Sequence, residues 1–252
     1  MNKHSDLVLE YRHLTEVTST NDMLRDFIPK ADITVLSTSF QTKGRGQMGN
    51  TWVSEVGQNA LFSILICPKE LRATDGFVLS QAMALSVKDA LNPYLDEVSI
   101  KWPNDIYCHG EKICGTLIEN TLMGRFVGRS IIGTGINANQ TLFPDGLAAP
   151  PTSLRRHIGR EVSPDYLVRS VVEGFLRYYA EIQDGCYDNI RKLYHRHLYL
   201  RGRMVRFADE TGIFMGTISH VEPDGHLIII DNTSVPRRYA FKQVQLIRDD
   251  KT

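Results

Sequence analysis

The sequence predicts an α+β fold: a mixed, largely antiparallel sheet with flanking helices, followed by a small all-β domain. Apolar segments with the alternating or β-branched pattern of strands are separated by two long segments of helical periodicity, 75–91 and 163–182. Beyond Arg201 the helical pattern stops, and short strands alternate with the turn sequences DETG, EPDG and DNTS. We therefore predict a first domain of residues 1–200 and a second domain of residues 201–252.

The N-terminal elements follow one another closely along the chain. Residues 7–11 alternate like a strand, and TSTND at 18–22 offers hydroxyl groups that cap the start of a short helix. Residues 33–37 and 60–67 are apolar and β-branched, which favours two further strands. The helix predicted over 75–91 carries few charges, so we expect it to be buried.

The second half of the first domain is predicted to be a group of strands followed by helices. Residues 98–101 form a short strand that ends at Trp102-Pro103. Residues 105–135 read as three strands, broken by turns at His109-Gly110 and near Gly124. SPDY at 163–166 places a serine cap before a proline at the first helical position, and a second short helix is predicted over 187–197.

Composition excludes several classes of function. The chain has 252 residues with 29 Lys+Arg and 29 Asp+Glu, so a formal net charge of +0 gives no electrostatic case for general DNA binding. The N-terminus lacks a signal-peptide pattern, and no apolar run is long enough to span a membrane. Four cysteines without CxxC spacing predict reduced thiols in a cytoplasmic protein and no cysteine-based metal site: Cys67, Cys108, Cys114 and Cys186.

The segment QTKGRGQMGNTW, residues 41–52, contains more glycine than a hairpin turn needs. Lys43 and Arg45 lie among its three glycines, where flexible backbone amides and positive charge together suit an anion. The alternative is an ordinary mobile loop.

The segment KWPND, residues 101–105, holds a lysine at a rigid position. Proline restricts Trp102 to an extended backbone, so Lys101 is expected at a strand end, where an anion would compensate its charge. Asn104 and Asp105 add polar groups suited to a ribose, an amide or a magnesium ion. The alternative is a proline-induced strand end with solvated charges.

Two further segments suggest a small-molecule site. The glycines of GTGINAN, residues 133–139, would let the backbone approach a flat ligand, although they also fit a β-bulge or turn. TSTN at 18–21 offers hydroxyl and amide groups at a helix start, which fit either a polar ligand or simple capping.

Taken in order, five segments resemble the biotin protein ligases: TSTN, QTKGRGQMGNTW, KWPNDIY, KICGTLIE and IIGTGINAN. The resemblance covers residues 19–139 strongly and continues weakly through the helices to the C-terminal β domain. It implies a catalytic domain like that of class II synthetases and a C-terminal SH3-like barrel. It also implies a form without the N-terminal DNA-binding domain that some members carry.

The resemblance implies a ligase that joins biotin to ATP as biotinyl-5'-AMP, with Mg2+ sharing the charge of the phosphates. The biotinyl group then passes to a lysine of a biotin carboxyl carrier protein domain of a biotin-dependent carboxylase. A homodimer is a further possibility that the resemblance leaves open. No DNA and no membrane are expected as partners.

Motif positions imply the roles of individual residues. The catalytic cations are Lys101 and Arg45. The implied biotin-binding residues are Ser19, Thr20, Asn21, Gln41, Arg45, Gly46, Gln47, Lys101 and Gly115. The implied ATP-binding residues are Arg45, Trp52, Trp102, Asn104 and Asn137. No metal ligand is assigned beyond Asp105, a candidate for the Mg2+ that accompanies ATP.

One departure from the family pattern concerns Gln47, which stands where many members have the second arginine of GRGR. It puts the tightness of adenylate retention in question, not the activity. Three rival interpretations stay open at this point: a lipoate-type protein ligase, a non-catalytic biotin- or nucleotide-binding module, and a repressor.

Overall fold

The computed structural model describes residues 7–147 and 149–247 and contains two sheets. The larger sheet has seven strands in the order β1-β2-β3-β7-β6-β5-β4. Only β1 and β2 pair in parallel among these strands, so the prediction of a mixed, largely antiparallel sheet is confirmed. The strands are β1 (Leu9–Val17), β2 (Ile33–Gln41), β3 (Ala60–Ile66), β4 (Val98–Lys101), β5 (Asp105–Cys108), β6 (Glu111–Met123) and β7 (Phe126–Ile136).

Five helices in the described residues accompany this sheet: α1 (Thr20–Arg25), α2 (Val78–Leu91), α3 (Leu154–Ile158), α4 (Pro164–Gln183) and α5 (Asp188–Arg196). Helix α2 packs against α4 and α5 on one side and against β4, β5 and β6 on the other, which explains why its sequence carries so few charges. Within the described ranges, no helix has both the length and the apolar character needed to cross a membrane.

Most predicted elements are present, and the differences have local causes. Strands β1 and β2 run on to Val17 and Gln41, because parallel pairing continues along polar residues that carry no apolar alternation. Helix α3 was not predicted, since five residues are too few to show periodicity; its Ser153 cap and Gly159, at φ +71°, mark its ends. The peptide bond between Trp102 and Pro103 is cis, and these residues lie in a turn that joins β4 to β5.

The C-terminal sheet contains β8 (Met204–Asp209), β9 (Gly212–Val221), β10 (Leu227–Asp231), β11 (Pro236–Tyr239) and β12 (Gln245–Leu246). Its order is β11-β10-β9-β8-β12, all antiparallel, and its turns fall at the three predicted sequences.

The two sheets share one continuous apolar core. The Trp102 indole nitrogen donates to the Gly225 carbonyl at 2.9 Å, and the Trp102 and Phe241 rings lie 6.0 Å apart. This packing fixes the second sheet against the turn after β4. The boundary near Leu200 stays a prediction, and the predicted outer limits at residues 1 and 252 lie outside the described residues.

The buried face of α4 should dominate its contribution to stability. Phe175 is fully buried and stacks on Tyr179 with ring centroids 5.7 Å apart. We expect Phe175→Ala to lower the free energy of unfolding by about 3–5 kcal/mol through lost burial and a residual cavity. Tyr166→Ala on the same helix, at a side chain that is 59% exposed, should change it by less than about 0.5 kcal/mol. Urea unfolding measures both, and equal effects would contradict the assigned register of α4.

Candidate active site

Three neighbouring strands bring charged side chains to one end of the larger sheet. Lys101, the last residue of β4, pairs with Asp105, the first residue of β5. Asp105 in turn pairs with Gly115 on β6, and Lys112 precedes it on the same strand. These four residues line a cavity of about 200 Å³. All nine residues predicted to bind biotin line this cavity: Ser19, Thr20, Asn21, Gln41, Arg45, Gly46, Gln47, Lys101 and Gly115.

Two glycines opposite each other in β6 and β7 form a flat surface in the cavity. Gly115 pairs with Gly135, and the Trp52 ring lies against both residues. A Cβ atom on Gly135 would fall 2.5 Å from Trp52 Cε2, and one on Gly115 would fall 3.0 Å from Trp52 Cζ3. A side chain at Gly135 would displace the indole, and one at Gly115 would press against it, so both positions favour glycine. The buried Trp52 indole nitrogen has no hydrogen-bond partner within the described residues.

The start of α1 forms a polar wall of the same cavity. Ser19 caps the helix by accepting from the Asp22 amide, and Gln41 Oε1 accepts from the Thr20 amide at 2.8 Å. Ser63, buried on β3, lies 2.7 Å from Thr20 Oγ1 and 2.6 Å from Asn21 Oδ1. The wall is therefore a connected network of buried hydroxyl and amide groups, which holds its donors in fixed directions.

Asn21 depends on a third glycine for its position. A Cβ atom on Gly133 would overlap the Asn21 amide oxygen. The Asn21 nitrogen donates to Glu119 Oε2 at 2.7 Å. The glycines of GTGINAN therefore let side chains approach β7 closely, and they also leave an open surface in the cavity.

Glu119 on β6 is the anchor of the glycine-rich segment. Arg45 Nη2 lies 2.7 Å from Glu119 Oε2 and 2.9 Å from Asp22 Oδ1, while Arg25 lies 3.4 Å from the other Glu119 oxygen. Burial raises the pKa of Glu119, but the hydrogen bonds from Asn21 and Arg45 and the two arginine charges outweigh it and hold that pKa below its ordinary value. Glu119 is therefore ionised at neutral pH and ties the segment to β6.

Lys112 is a second lysine in the cavity, and the sequence reasoning did not select it. Its Nζ lies 2.7 Å from Asp105 Oδ1 and 5.8 Å from the centre of the Trp52 ring. Lys101 Nζ lies 5.6 Å from the centre of the Tyr107 ring. Lys112 belongs to the segment KICGTLIE, in which the resemblance implied a role for Gly115 alone, and a single sequence does not show that Lys112 faces Asp105.

A larger cavity of about 1030 Å³ adjoins the first. Trp102, Asn137 and apolar residues of 143–151 and of the C-terminal sheet line it. The two cavities share Asn50, Thr51, Trp52, Lys101, Asp105, Lys112 and Phe241. Cationic groups thus lie at the junction of two ligand-sized spaces.

The residues predicted to bind ATP are divided between the two cavities. Arg45 and Asn104 line the smaller one, Trp102 and Asn137 the larger one, and Trp52 both. Their polar groups are partly used within the protein. The Asn137 amide donates to the Thr152 carbonyl at 2.9 Å, and the Asn104 amide donates to the Thr116 carbonyl.

This arrangement suits a reaction between two anionic molecules. Fixed cations at the junction offset the repulsion between ligands bound on either side, and buried dipoles hold each ligand in one orientation. Away from the junction, the lining of the smaller cavity contains amides, hydroxyls and a flat glycine surface. These groups fit an uncharged, partly apolar ring better than a second polyanion.

Comparisons with known proteins agree with this geometry. Residues 14–137 match the model of the Biotin/lipoate A/B protein ligase family. The bifunctional ligase/repressor BirA of Bacillus subtilis (strain 168) is 29% identical over 205 residues, which cover 79% of this chain and 62% of that protein. The biotin–[acetyl-CoA-carboxylase] ligase of Paracoccus denitrificans is 27% identical over 75% of this chain and 80% of its own length.

A solved structure extends the similarity over almost the whole chain. The biotin protein ligase of Aquifex aeolicus in complex with biotin and ATP superposes with a TM-score of 0.78 at 25% identity, covering 95% of this chain and 99% of that one. The family match spans the strands and the glycine-rich segment that build the cavity. Over residues 14–137, close to half of its length, the chain is similar to the biotin/lipoate A/B protein ligase family.

Proposed function

We propose that this protein is a biotin–[biotin carboxyl carrier protein] ligase, which activates biotin as biotinyl-5'-AMP and transfers it to a carrier lysine. The observation that supports this most is the junction of two cavities at Lys101, Asp105 and Lys112. The structural relative from Aquifex aeolicus carries biotin and ATP, and curated relatives are named as biotin ligases. The chain spans about 62% of the length of the Bacillus subtilis relative that it matches.

The reaction needs no protein nucleophile. The biotin carboxylate attacks the α-phosphorus of ATP, and pyrophosphate leaves with the bonding electron pair. The amine of the acceptor lysine then attacks the biotinyl carbonyl, loses a proton and expels AMP. Arg45, Lys101 and Lys112 would hold carboxylate and phosphate oxygens together in the first step.

The smaller cavity is the proposed biotin site. Thr20, Asn21 and Gln41 provide donors and acceptors for the ureido group, and the glycine surface under Trp52 accepts the apolar ring. The larger cavity, with Trp102 and Asn137 in its lining, is the proposed site for the adenine and ribose of ATP. The polar groups of Asn104 and Asn137 would then shape these sites more than they bind the ligands directly.

The residues also fit the Mg2+ that accompanies ATP. Mg2+ in nucleotide sites commonly takes one or two carboxylates and completes its shell with phosphate oxygens and water. Asp105 lines both cavities and forms an ion pair with Lys112. Its carboxylate therefore lies at the junction, where the phosphates are proposed to bind. The bound ion would supply further neutralisation of phosphate charge.

Several finer expectations belong to the same proposal. The C-terminal sheet is proposed to close as an SH3-like barrel on a catalytic domain of the class II synthetase type. The acceptor is proposed to be a carrier domain of a biotin-dependent carboxylase. Homodimerisation, a cytoplasmic location and the absence of DNA binding stay predictions.

Intact-mass measurement of a carrier domain tests the proposal. With protein, biotin, ATP and Mg2+, the carrier mass should increase by one biotinyl group, and replacing biotin with lipoate should give no increase. Labelling with lipoate instead would favour the lipoate-type ligase. No labelling, together with measurable biotin binding, would favour a non-catalytic module.

The two lysines at the junction should both contribute to adenylate formation. We expect Lys101→Ala and Lys112→Ala each to slow it by roughly 10²–10³-fold, because each removes a fixed positive charge from the transition state. Biotin should still bind, though more weakly. Lys30→Ala, at an exposed residue outside the cavity lining, is the matched control. Single-turnover formation of the adenylate gives the rates, and a wild-type rate for either variant would remove that lysine from the proposed mechanism.

The glycine-rich segment should govern how long the adenylate is retained. Arg45→Gly removes the pairs with Glu119 and Asp22, so we expect faster adenylate release and more stray labelling of bystander lysines. Gln47→Arg adds a cation next to the phosphate and should slow release. Avidin blots of serum albumin and adenylate dissociation rates measure these effects. Unchanged values for Arg45→Gly would mean that the segment is only a structural turn.

Glu119→Gln should loosen the segment without removing any cation. The ion pairs of Glu119 are partly exposed and worth roughly 1 kcal/mol or less, so adenylate release should rise by at most about fivefold. Because the pKa of Glu119 is lowered, its pairs persist at neutral pH and are lost as the pH falls through that lowered pKa. Release from the wild type should therefore approach that of the variant in acid, whereas Glu161→Gln, at an exposed ion pair, should behave like the wild type.

A further inference from the structure

A second group of ligand-bearing side chains lies outside the two cavities. Cys108 ends β5, His109 follows it in the turn to β6, and His157 lies in α3. One potential ligand atom from each residue lies within 4.8 Å of the others. The donor atoms of a tetrahedral zinc site are roughly 3–4 Å apart, so small side-chain rotations would bring these three onto one ion. Sequence spacing gave no sign of the site, because His157 is distant along the chain.

Both histidines have the outer contacts that metal-ligating imidazoles need. His109 Nδ1 lies 3.3 Å from Glu97 Oε2, and His157 Nε2 lies 2.9 Å from Thr152 Oγ1. In metal sites the ring nitrogen that does not bind the ion usually contacts an oxygen of this kind, which fixes the ring and its tautomer. Each imidazole thereby keeps one ring nitrogen for an ion.

The surroundings attract a cation. The Cys108 thiol is buried and lies among the negative charges of Glu97, Glu111 and Asp96. Metal coordination deprotonates a thiol, so the thiolate and these carboxylates would together offset the charge of a divalent ion.

A second group of potential metal ligands already has a positive charge beside it. Glu222 and Asp224 lie near His226, but Arg238 lies 2.5 Å from both carboxylates. The arginine already supplies the positive charge there. The cysteine-containing group offers one thiol and two imidazoles, and the charged neighbour of His109 is the carboxylate of Glu97. It is therefore the better cation site of the two.

We propose that Cys108, His109 and His157 form a binding site for a zinc-type transition metal ion, with the fourth position open to water. One thiolate and two imidazoles are ligands that Zn2+ prefers. The ion would tie the β5–β6 turn to α3. Residues 150–152, just before α3, are already joined to β6. The backbone amide of Lys112 donates to the Pro150 carbonyl, and the Lys112 carbonyl accepts from the Thr152 amide. Metal binding would therefore stiffen the hairpin that carries Asp105 and Lys112.

Cobalt titration of the metal-free full chain tests the site, since Co2+ bound to a thiolate absorbs in the near ultraviolet. We expect one equivalent of Co2+ to give this band and Zn2+ to abolish it by displacement. Cys108→Ser should remove the band, and His109→Asn should weaken Co2+ binding by about 100-fold, the upper end of what even outer-shell changes cost. His109→Asn should fold, because asparagine tolerates the φ of +48° at this position.

Two control variants separate this site from adventitious binding. Cys186→Ser changes an exposed cysteine, and His220→Asn changes an exposed histidine of β9. Both should keep the wild-type cobalt band and affinity. A wild-type protein without a thiolate band, or a band that survives in His109→Asn and disappears in Cys186→Ser, would overturn the proposal. Neither result bears on biotin ligation, which is measured separately.

Discussion

The register between β5, β6 and β7 is the constraint on which the rest of the site depends. Gly115 stands opposite both Asp105 and Gly135, so one alignment creates the flat surface under Trp52 and places a carboxylate beside it. Lys101 and Lys112 reach the same end of the sheet through that alignment. A slip by one residue would turn these side chains to the opposite face and put Cβ atoms against the indole. The register thus sets both the shape and the charge of the junction.

The glycine-rich segment, residues 41–52, is held in place by the same sheet. Arg45 is held by Glu119 from β6 and by Asp22 from α1, while Trp52 covers β6 and β7. One strand, one helix and a glycine pair therefore hold the segment against the cavity.

Much of this could be predicted from the sequence, and the exceptions have physical reasons. Apolar alternation and turn residues predicted β3 to β7 and the C-terminal strands, and motif order predicted residues that the structure brings into one cavity. Helix α3 was missed because short helices show no periodicity. Lys112 and Glu119 were missed because their importance lies in cross-strand neighbours, Asp105 and Arg45, that a single sequence does not place beside them. The larger cavity depends on how the second sheet packs against Trp102, which local pattern does not specify.

The central claim is that the junction of the two cavities joins a carboxylate to a nucleotide phosphate. Exchange of labelled pyrophosphate into ATP measures this step alone, without a carrier protein. The account predicts exchange that requires biotin and stays at background when biotin is omitted or replaced by lipoate. Exchange that proceeds equally without biotin, or no exchange in a folded protein that binds both biotin and ATP, would contradict it.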